Sequence, residues 1–460
     1  MGMLLLPFFT PKLSHISYML AGSQTCAVID PRRDVEEYID AAHARGLAIT
    51  HILQTHLHAD FVSGHMDLAY RTGATIYAPK KGNCSFDHTG VSEGDEIVIE
   101  DAVLQVVETP GHTPEHVSYV MIDTSRGNEP MGVFCGDTLF VGDVGRPDLY
   151  PGRAEELGHA LYASLHRKLL NLPDFCEMYP LHAAGSLCGK AIASKRGSTI
   201  GYERRFNSAL QIADPDEFVA TIKADMPPAP DHFSRCTVIN ARGPALVDSL
   251  STPRPMHPDD FAQAARADNT VVIDARPYES FGAQHIAGAY SLDLDLNFPV
   301  FAGWVIPPDR DILLVTNSFE EVRQCVDWLR RVGLDRAVGF LDGAMPAWSL
   351  AGLPTKHVPQ LSAVELHELL THDKDMPVLD VRPASEFRQG HIGRATNISV
   401  AELRTRYTEL DASRPMVVVC PGGNRSMLGI SLLLQRGFEH LMNVAGGMTG
   451  YAAAGLPFDI

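Results

Sequence analysis

The stretch Thr55-His56-Leu57-His58-Ala59-Asp60-Phe61 sets two imidazoles two residues apart and a carboxylate two residues further on. Neutral imidazole nitrogen and carboxylate oxygen suit a borderline or hard divalent cation, so this spacing is metal-ligand chemistry. Three later clusters can converge on it. Thr109-Pro110-Gly111-His112 puts His112 in a turn, Gly136-Asp137 puts Asp137 just after a strand, and Tyr179-Pro180-Leu181-His182 puts His182 after another. One such turn is a weak signal, and four in this order are a strong one. Most of the 20 histidines, among them His43, His51, His65 and His116, read instead as helix, turn or core residues. Cys135, beside Asp137, reads as a small buried filler.

A second reactive stretch lies near the other end. Met416-Val417-Val418-Val419 is a buried-type strand, Cys420 follows at once, and Pro421-Gly422-Gly423-Asn424-Arg425-Ser426 leads into a helical run from Met427 to Gln435. A thiol between a strand end and a helix start meets backbone N–H groups and the positive helix end. With Arg425 nearby, that environment stabilises a thiolate and an anionic persulfide.

The elements that carry these residues can be read from periodicity. Ala48 to Gln54 is an apolar run of strand length and Ser63 to Thr72 is helical up to Gly73, so His56 sits at a strand-to-helix turn, which points side chains into a cleft at the sheet edge. Further strands are expected at Met1–Phe9, Cys26–Asp30, Thr75–Ala78, Glu96–Glu100, Val103–Glu108, His116–Ile122 and Gly132–Phe134, with helices at Val35–Arg45 and Arg153–Leu170. This pattern predicts two packed sheets with helices outside. The prolines between 206 and 255 mark a connector. Beyond them the chain repeats: Val271-Val272-Ile273-Asp274-Ala275-Arg276-Pro277 returns 106 residues later as Pro377-Val378-Leu379-Asp380-Val381-Arg382-Pro383, and His285-Ile286 returns as His391-Ile392. Two copies of about 100 residues fit a duplicated α/β domain better than a solenoid.

At 460 residues, about three domains are expected. Hydrophobic residues make up 45% and charged residues 20%, as in an ordinary globular chain, and the net charge of −18 repels nucleic acid and anionic membranes. Eight cysteines without C-x-x-C pairing read as free thiols in a reducing compartment, and the short apolar start, broken by Pro7, is no membrane span. A cytoplasmic protein is expected, with no nucleic-acid or membrane partner.

Residues 1 to about 205 resemble a metallo-β-lactamase-fold domain, whose usual motif is H-x-H-x-D-H, a distal His, a bridging Asp and a last His. Phe61 stands where that motif ends in histidine. Losing this imidazole weakens the second metal position and favours a single metal. Within the fold the sequence is most similar to persulfide dioxygenases. That resemblance implies one Fe(II) per chain held by His56, His112 and Asp137, with His58, Asp60 and His182 hydrogen-bonding ligands, water or bound oxygen. Gly145-Arg146-Pro147-Asp148 resembles a segment of the same branch, which makes Arg146 a substrate-binding candidate, with a salt bridge as its alternative. Residues 358–460 resemble a rhodanese domain, which implies that Cys420 and Arg425 are catalytic and that Pro421, Gly422, Gly423, Asn424 and Ser426 form the persulfide loop. The first repeat puts Thr316 opposite Cys420 and Glu321 opposite Arg425, so an inactive spacer is expected there.

The expected architecture is therefore an αββα sandwich over 1–245 with its connector, then two rhodanese-like doubly wound α/β domains over 256–356 and 358–460. The implied reaction oxidises a low-molecular-weight thiol persulfide with O2 to sulfite, coupled to formation or use of thiosulfate at Cys420, in a homo-oligomer. The alternative is a zinc-dependent thioester hydrolase resembling glyoxalase II, with a sulfur-carrier domain. The thiol carrier and the direction of sulfur transfer stay open at this stage.

Overall fold

Alternating apolar positions between residues 4 and 199 build two six-stranded sheets that face each other. The structure, a computed structural model, describes residues 3–224 and 226–459. Met1 and Gly2 of the expected first strand lie outside the described residues, as do Asp225 of the expected connector and Ile460 of the third domain. Two compact units form: residues 1–250 with 330–333, and 251–329 with 334–460.

In the first unit one sheet runs Leu4–Thr10, His15–Ala21, Thr25–Ile29, Ala48–Leu53, Thr75–Pro79, Thr89–Val91 in spatial order. The other runs Ser198–Thr199, Glu177–Pro180, Pro130–Gly136, Val117–Asp123, Ala102–Glu108, Glu96–Ile99. Ile16, Tyr18, Leu20, Leu104, Val106, Tyr119 and Met121 come from alternate positions of these strands and fill the space between the sheets. Helices cover both outer faces. Glu36–His43 contributes Tyr38 and Ala42 to one outer core, and Ala154–Arg167 contributes Leu161 and Leu165 to the other. The αββα sandwich is as expected.

The proline-rich stretch is not a plain connector. Pro215–Lys223 is a helix, started by Pro at its first position and capped by Asp214, whose carboxylate accepts the N–H groups of Asp216 and Glu217. It buries Phe218, Val219 and Ile222 against Leu161 and Leu165. A further helix, His232–Arg242, belongs to the same unit. The prolines therefore punctuate helices inside the first unit.

The second unit holds the repeat as two five-stranded parallel sheets of equivalent order. One is Arg254–Met256, Ala337–Leu341, Asp311–Val315, Thr270–Asp274, Tyr290–Ser291, and the other is Gln360–Leu361, Leu441–Val444, Met416–Val419, Val378–Asp380, Thr396–Asn397. The shared Asp-x-Arg motif closes the same strand end in both. Arg276 and Arg382 pair with Asp274 and Asp380 at 2.6 Å, and each guanidinium also donates to a carbonyl, of Gln284 and of Gly390. His285 and His391 stack on Phe281 and Phe387 at 3.9 and 3.8 Å. The motif that reveals the repeat is scaffold.

Burial pushes several imidazoles down, His65 to about 3 and His232 and His285 to about 4. The unfolded chain takes up these protons near pH 6.5 and the folded chain only near pH 3–4, so stability falls as pH drops through that window. Each group should cost about 1.4 kcal/mol per pH unit below 6.5. Denaturant melts at pH 7, 6 and 5 check this, and a flat profile would contradict it.

Candidate metal centre and sulfur loop

Four loops at one edge of the sandwich bring the three predicted ligands and His182 together. His56 follows the strand Ala48–Leu53, His112 follows Ala102–Glu108, Asp137 follows Pro130–Gly136 and His182 follows Glu177–Pro180. His56 Nε2, His112 Nε2 and Asp137 Oδ2 are buried without hydrogen-bond partners, and one ligand atom from each residue lies within 4.8 Å of the others. Oδ2 of Asp137 is 3.3 Å from His112 Nε2 and 3.9 Å from His56 Nε2. Buried polar atoms that face only one another are costly unless something binds between them. The residues fit a divalent cation.

Their other atoms are committed so as to leave those positions free. Thr55 Oγ1 donates to Asp30 Oδ2 at 2.9 Å, so it accepts from His56 Nδ1, also at 2.9 Å. His112 Nδ1 donates to the carbonyl of Arg146 at 2.9 Å. Both rings therefore carry their proton on Nδ1 and present the Nε2 lone pair, the tautomer a metal needs. Burial alone would raise the Asp137 carboxyl, but His182, His112 and His56 hold it well below the usual range. His182 donates from Nδ1 to Asp137 Oδ1 and from Nε2 to Asp60 Oδ2, each at 2.9 Å. Burial opposes its charge, and these two carboxylates overcome that to raise it to about 10. Gly136 has φ +50, and a Cβ there would come within 2.4 Å of His116 Nε2 and 2.8 Å of Thr55 Oγ1.

Of the three residues expected around the ligands, His182 hydrogen-bonds Asp137, and His58 packs edge-on against His56 with ring centroids 4.5 Å apart. Asp60 reaches Asp137 through His182, and His58 Nε2 lies 3.0 Å from Asp30 Oδ1, with its ring stacked on Phe61. Arg146 makes the salt bridge that is its alternative reading. Its side chain is buried, bonds to both carboxylate oxygens of Asp148 and donates to the carbonyls of Leu187 and Pro227. These bonds fix the side chain in place, and its own carbonyl aims His112.

Sequence reasoning missed Thr55, Asp30, His116 and Asn240. His116 reads as structural from its sequence context, and its Nε2 accepts the backbone N–H of Asp137 at 3.0 Å. Asn240 donates to the carbonyls of His58 and Phe61 at 2.8 Å and accepts from Ser63 N–H at 2.8 Å. It braces the whole first motif from about 180 residues away, and no local pattern marks it. Asn240→Ala leaves three backbone groups without partners, so it should destabilise the first unit by about 3 kcal/mol or more. Metal affinity should fall about 10–100-fold. Denaturant melts and chelator competition measure the two effects.

In the second unit Cys420 is 1% exposed at the end of Met416–Val419, before the helix Asn424–Leu434. Its sulfur accepts from Gly423 N–H at 3.1 Å and Ser426 Oγ at 3.2 Å. The single hydroxyl proton of Ser426 also has Gly423 O at 2.9 Å and Asn443 Oδ1 at 2.6 Å as acceptors, so the sulfur competes with both for it. Arg425 makes two 2.8 Å contacts to Glu386, so the sulfur's hydrogen bonds come from the loop and the serine, while the guanidinium pairs with a carboxylate. Thr316 occupies the equivalent strand end, as expected, and donates to Ser318 O, and Cys325 lies inside the helix Phe319–Arg331.

Comparison with known proteins places both units. The metallo-beta-lactamase superfamily model matches residues 11–175, and the rhodanese-like domain model matches 257–351 and 362–454. The mitochondrial persulfide dioxygenase ETHE1 of Bos taurus is 30% identical over 244 residues, covering 52% of this chain and 88% of that protein. A hydroxyacylglutathione hydrolase of Rhodospirillum rubrum is 39% identical over 150 residues, covering 32% of this chain, which spans only 53% of that relative. A crystal structure of a metallo-beta-lactamase from Staphylococcus aureus subsp. aureus COL is 33% identical, with a TM-score of 0.67 over 74% of this chain and 99% of that one. Among the described residues no helix is long and apolar enough to cross a membrane. Fold, ligand loops and relatives agree that the chain belongs to the metallo-β-lactamase superfamily, as a relative of the persulfide dioxygenases carrying two rhodanese-like domains.

Proposed function

We propose that this chain is a persulfide dioxygenase coupled to a sulfurtransferase. The observation that carries this reading is the set of three buried, unpartnered atoms, His56 Nε2, His112 Nε2 and Asp137 Oδ2, in a chain that also cradles the Cys420 sulfur. Ferrous iron held by the two imidazoles and the carboxylate would supply redox chemistry with O2, which zinc lacks. The overall conversion is RSSH + O2 + H2O to RSH + sulfite + 2 H⁺. In it, His56 and His112 offer Nε2 because Thr55 and the Arg146 carbonyl take their Nδ1 protons. His182 offsets the charge of Asp137 and Asp60.

At the other site the Cys420 thiolate attacks the outer sulfur of a persulfide, forming Cys420–S–S⁻ and releasing the thiol. Gly423 N–H and Ser426 Oγ stabilise the thiolate before that step. Sulfite then takes the outer sulfur as thiosulfate and regenerates the thiolate. The reverse order uses the same residues. The Thr316 copy acts as an inactive spacer, and a clear loss of sulfur transfer in Thr316→Ala would contradict that role.

The 39% identity to a hydroxyacylglutathione hydrolase favours a second reading, zinc-dependent hydrolysis of a glutathione thioester. One experiment separates them: anaerobic metal analysis, then O2 uptake with glutathione persulfide and coenzyme A persulfide. One iron per chain and O2 consumption with sulfite release support the dioxygenase. Zinc, no O2 uptake and thioester cleavage support the hydrolase.

A further inference from the structure

A persulfide on Cys420 carries its negative charge on the outer sulfur, and the loop itself has little left to offer that atom. Gly423 N–H is spent on the inner sulfur, the Ser426 proton has rival acceptors in Gly423 O and Asn443 Oδ1, and Arg425 is paired with Glu386. The loop is also covered from outside its own copy. Tyr278 opens the helix Tyr278–Ala283 of the Thr316 copy and is 9% exposed. Its ring lies against Gly423, where a Cβ would come within 2.8 Å of two ring carbons and 3.0 Å of the hydroxyl. The hydroxyl also lies beside the backbone N–H of Gly446. That turn is tied to the sulfur loop, since Met448 N–H and Thr449 N–H donate to the carbonyls of Cys420 and Pro421. Tyr278 therefore bridges the two turns that frame the sulfur.

Packing between the copies would account for an aromatic ring here without any role for its hydroxyl. The repeat supplies its own comparison. At the 106-residue offset Tyr278 corresponds to Ala384, which follows the same Arg-Pro pair and opens the helix Ala384–Phe387. The scaffold of the repeat asks for nothing larger than a methyl at this position. The phenol stands in the copy whose helix faces a thiol loop.

We propose that Tyr278 is a substrate-contacting residue of the Cys420 site, its phenol donating a hydrogen bond to the outer sulfur of Cys420–S–S⁻. The inference rests on the sulfur-transfer reading of that loop. The inner sulfur is enclosed by its own loop, so the outer one, about 2 Å further on, extends to the rim that Tyr278 covers. Burial and the neighbouring Glu279 carboxylate push the phenol up, so it stays a donor at neutral pH. Glu279 is exposed, and water weakens its claim on that proton. A hydrogen bond to a charged acceptor is of the strong kind. When sulfite takes the outer sulfur, the S–S bond to Cys420 breaks as the new S–S bond forms, giving thiosulfate and the Cys420 thiolate. No proton or electron leaves Tyr278, whose dipole offsets the repulsion between the two anions. The Thr316 copy, inactive at its own loop, thereby completes its neighbour's.

Tyr278→Phe in the full chain keeps the ring against Gly423 and removes only the hydroxyl. With glutathione persulfide and sulfite, and with the Cys420→Ser background subtracted, it should form thiosulfate about tenfold more slowly than the native chain. The fraction of Cys420 that keeps one extra sulfur after the donor is removed, read by mass spectrometry, should fall with it. Alkylation of sulfur-free Cys420 by iodoacetamide should keep its native rate and pH profile, because the phenol serves the outer sulfur and not the inner one. A tyrosine that only propped the loop would not produce that split. Thiosulfate formation at the native rate in Tyr278→Phe overturns the proposal, and so does a loss matched by altered alkylation. A native chain that transfers no sulfur overturns the sulfurtransferase reading and this inference with it.

Discussion

His56→Ala should abolish metal retention and lower O2 uptake with glutathione persulfide by more than about a hundredfold, while sulfur transfer through Cys420 continues. Removing hydrogen-bond partners of ligands costs about 10–100-fold, and removing one of three ligands costs more. Asp137→Asn should match it for a different reason. The amide loses the charge that balances a cation and meets His182, which donates to that side chain in the native protein. His56→Gln is the informative control, since its volume is close and the fold should hold. Metal content by elemental analysis and oxygen-electrode rates are the readouts. A His56→Ala protein that keeps both stoichiometric metal and O2 uptake would remove His56 from the centre.

Cys420→Ser should do the reverse. Thiosulfate formation should fall to the uncatalysed background, on the order of 10³-fold or more, the scale of losing a covalent nucleophile. O2 uptake should stay close to that of the native chain. A hydroxyl at this position keeps the bonds from Gly423 and Ser426, so lost transfer would report chemistry and not collapse of the loop. Ser426→Ala is a graded test. It removes one of two donors to the sulfur and should cost about tenfold, the worth of one hydrogen bond to a charged group. Loss of O2 uptake in Cys420→Ser would mean that the two sites do not work separately.

What the sequence made legible follows physical range. Strands with alternating apolar residues, turns with Gly or Pro, and side chains placed just past a strand end all have local signatures. His56, His112, Asp137 and Cys420 stand where those signatures put them. The first motif's remaining residues were harder. Asp60 and His58 share the ligand spacing but point to His182 and Asp30. For Arg146 the pair with Asp148, two residues on, was legible, while the carbonyls of Leu187 and Pro227 that also accept from it leave no mark on sequence. Asn240 escaped for the same reason: its three partners are backbone groups of a distant loop. The prolines near it looked like a linker because proline punctuates helix starts and connectors alike.

The brace at Asn240 also imposes an order of events during synthesis. A ribosome that has finished the superfamily-matched stretch, residues 11–175, has made both sheets' central strands but neither His182 nor the helix His232–Arg242. The loop from His58 to Ser63 then lacks the Asn240 brace and keeps only nearer contacts, His58 with Asp30 and Ser63 with Pro31 and Gln54. A nascent chain stalled there already carries His56, His112 and Asp137 with Thr55 and the Arg146 carbonyl to aim the two rings, so it can meet an ion before the loop beside His56 is braced.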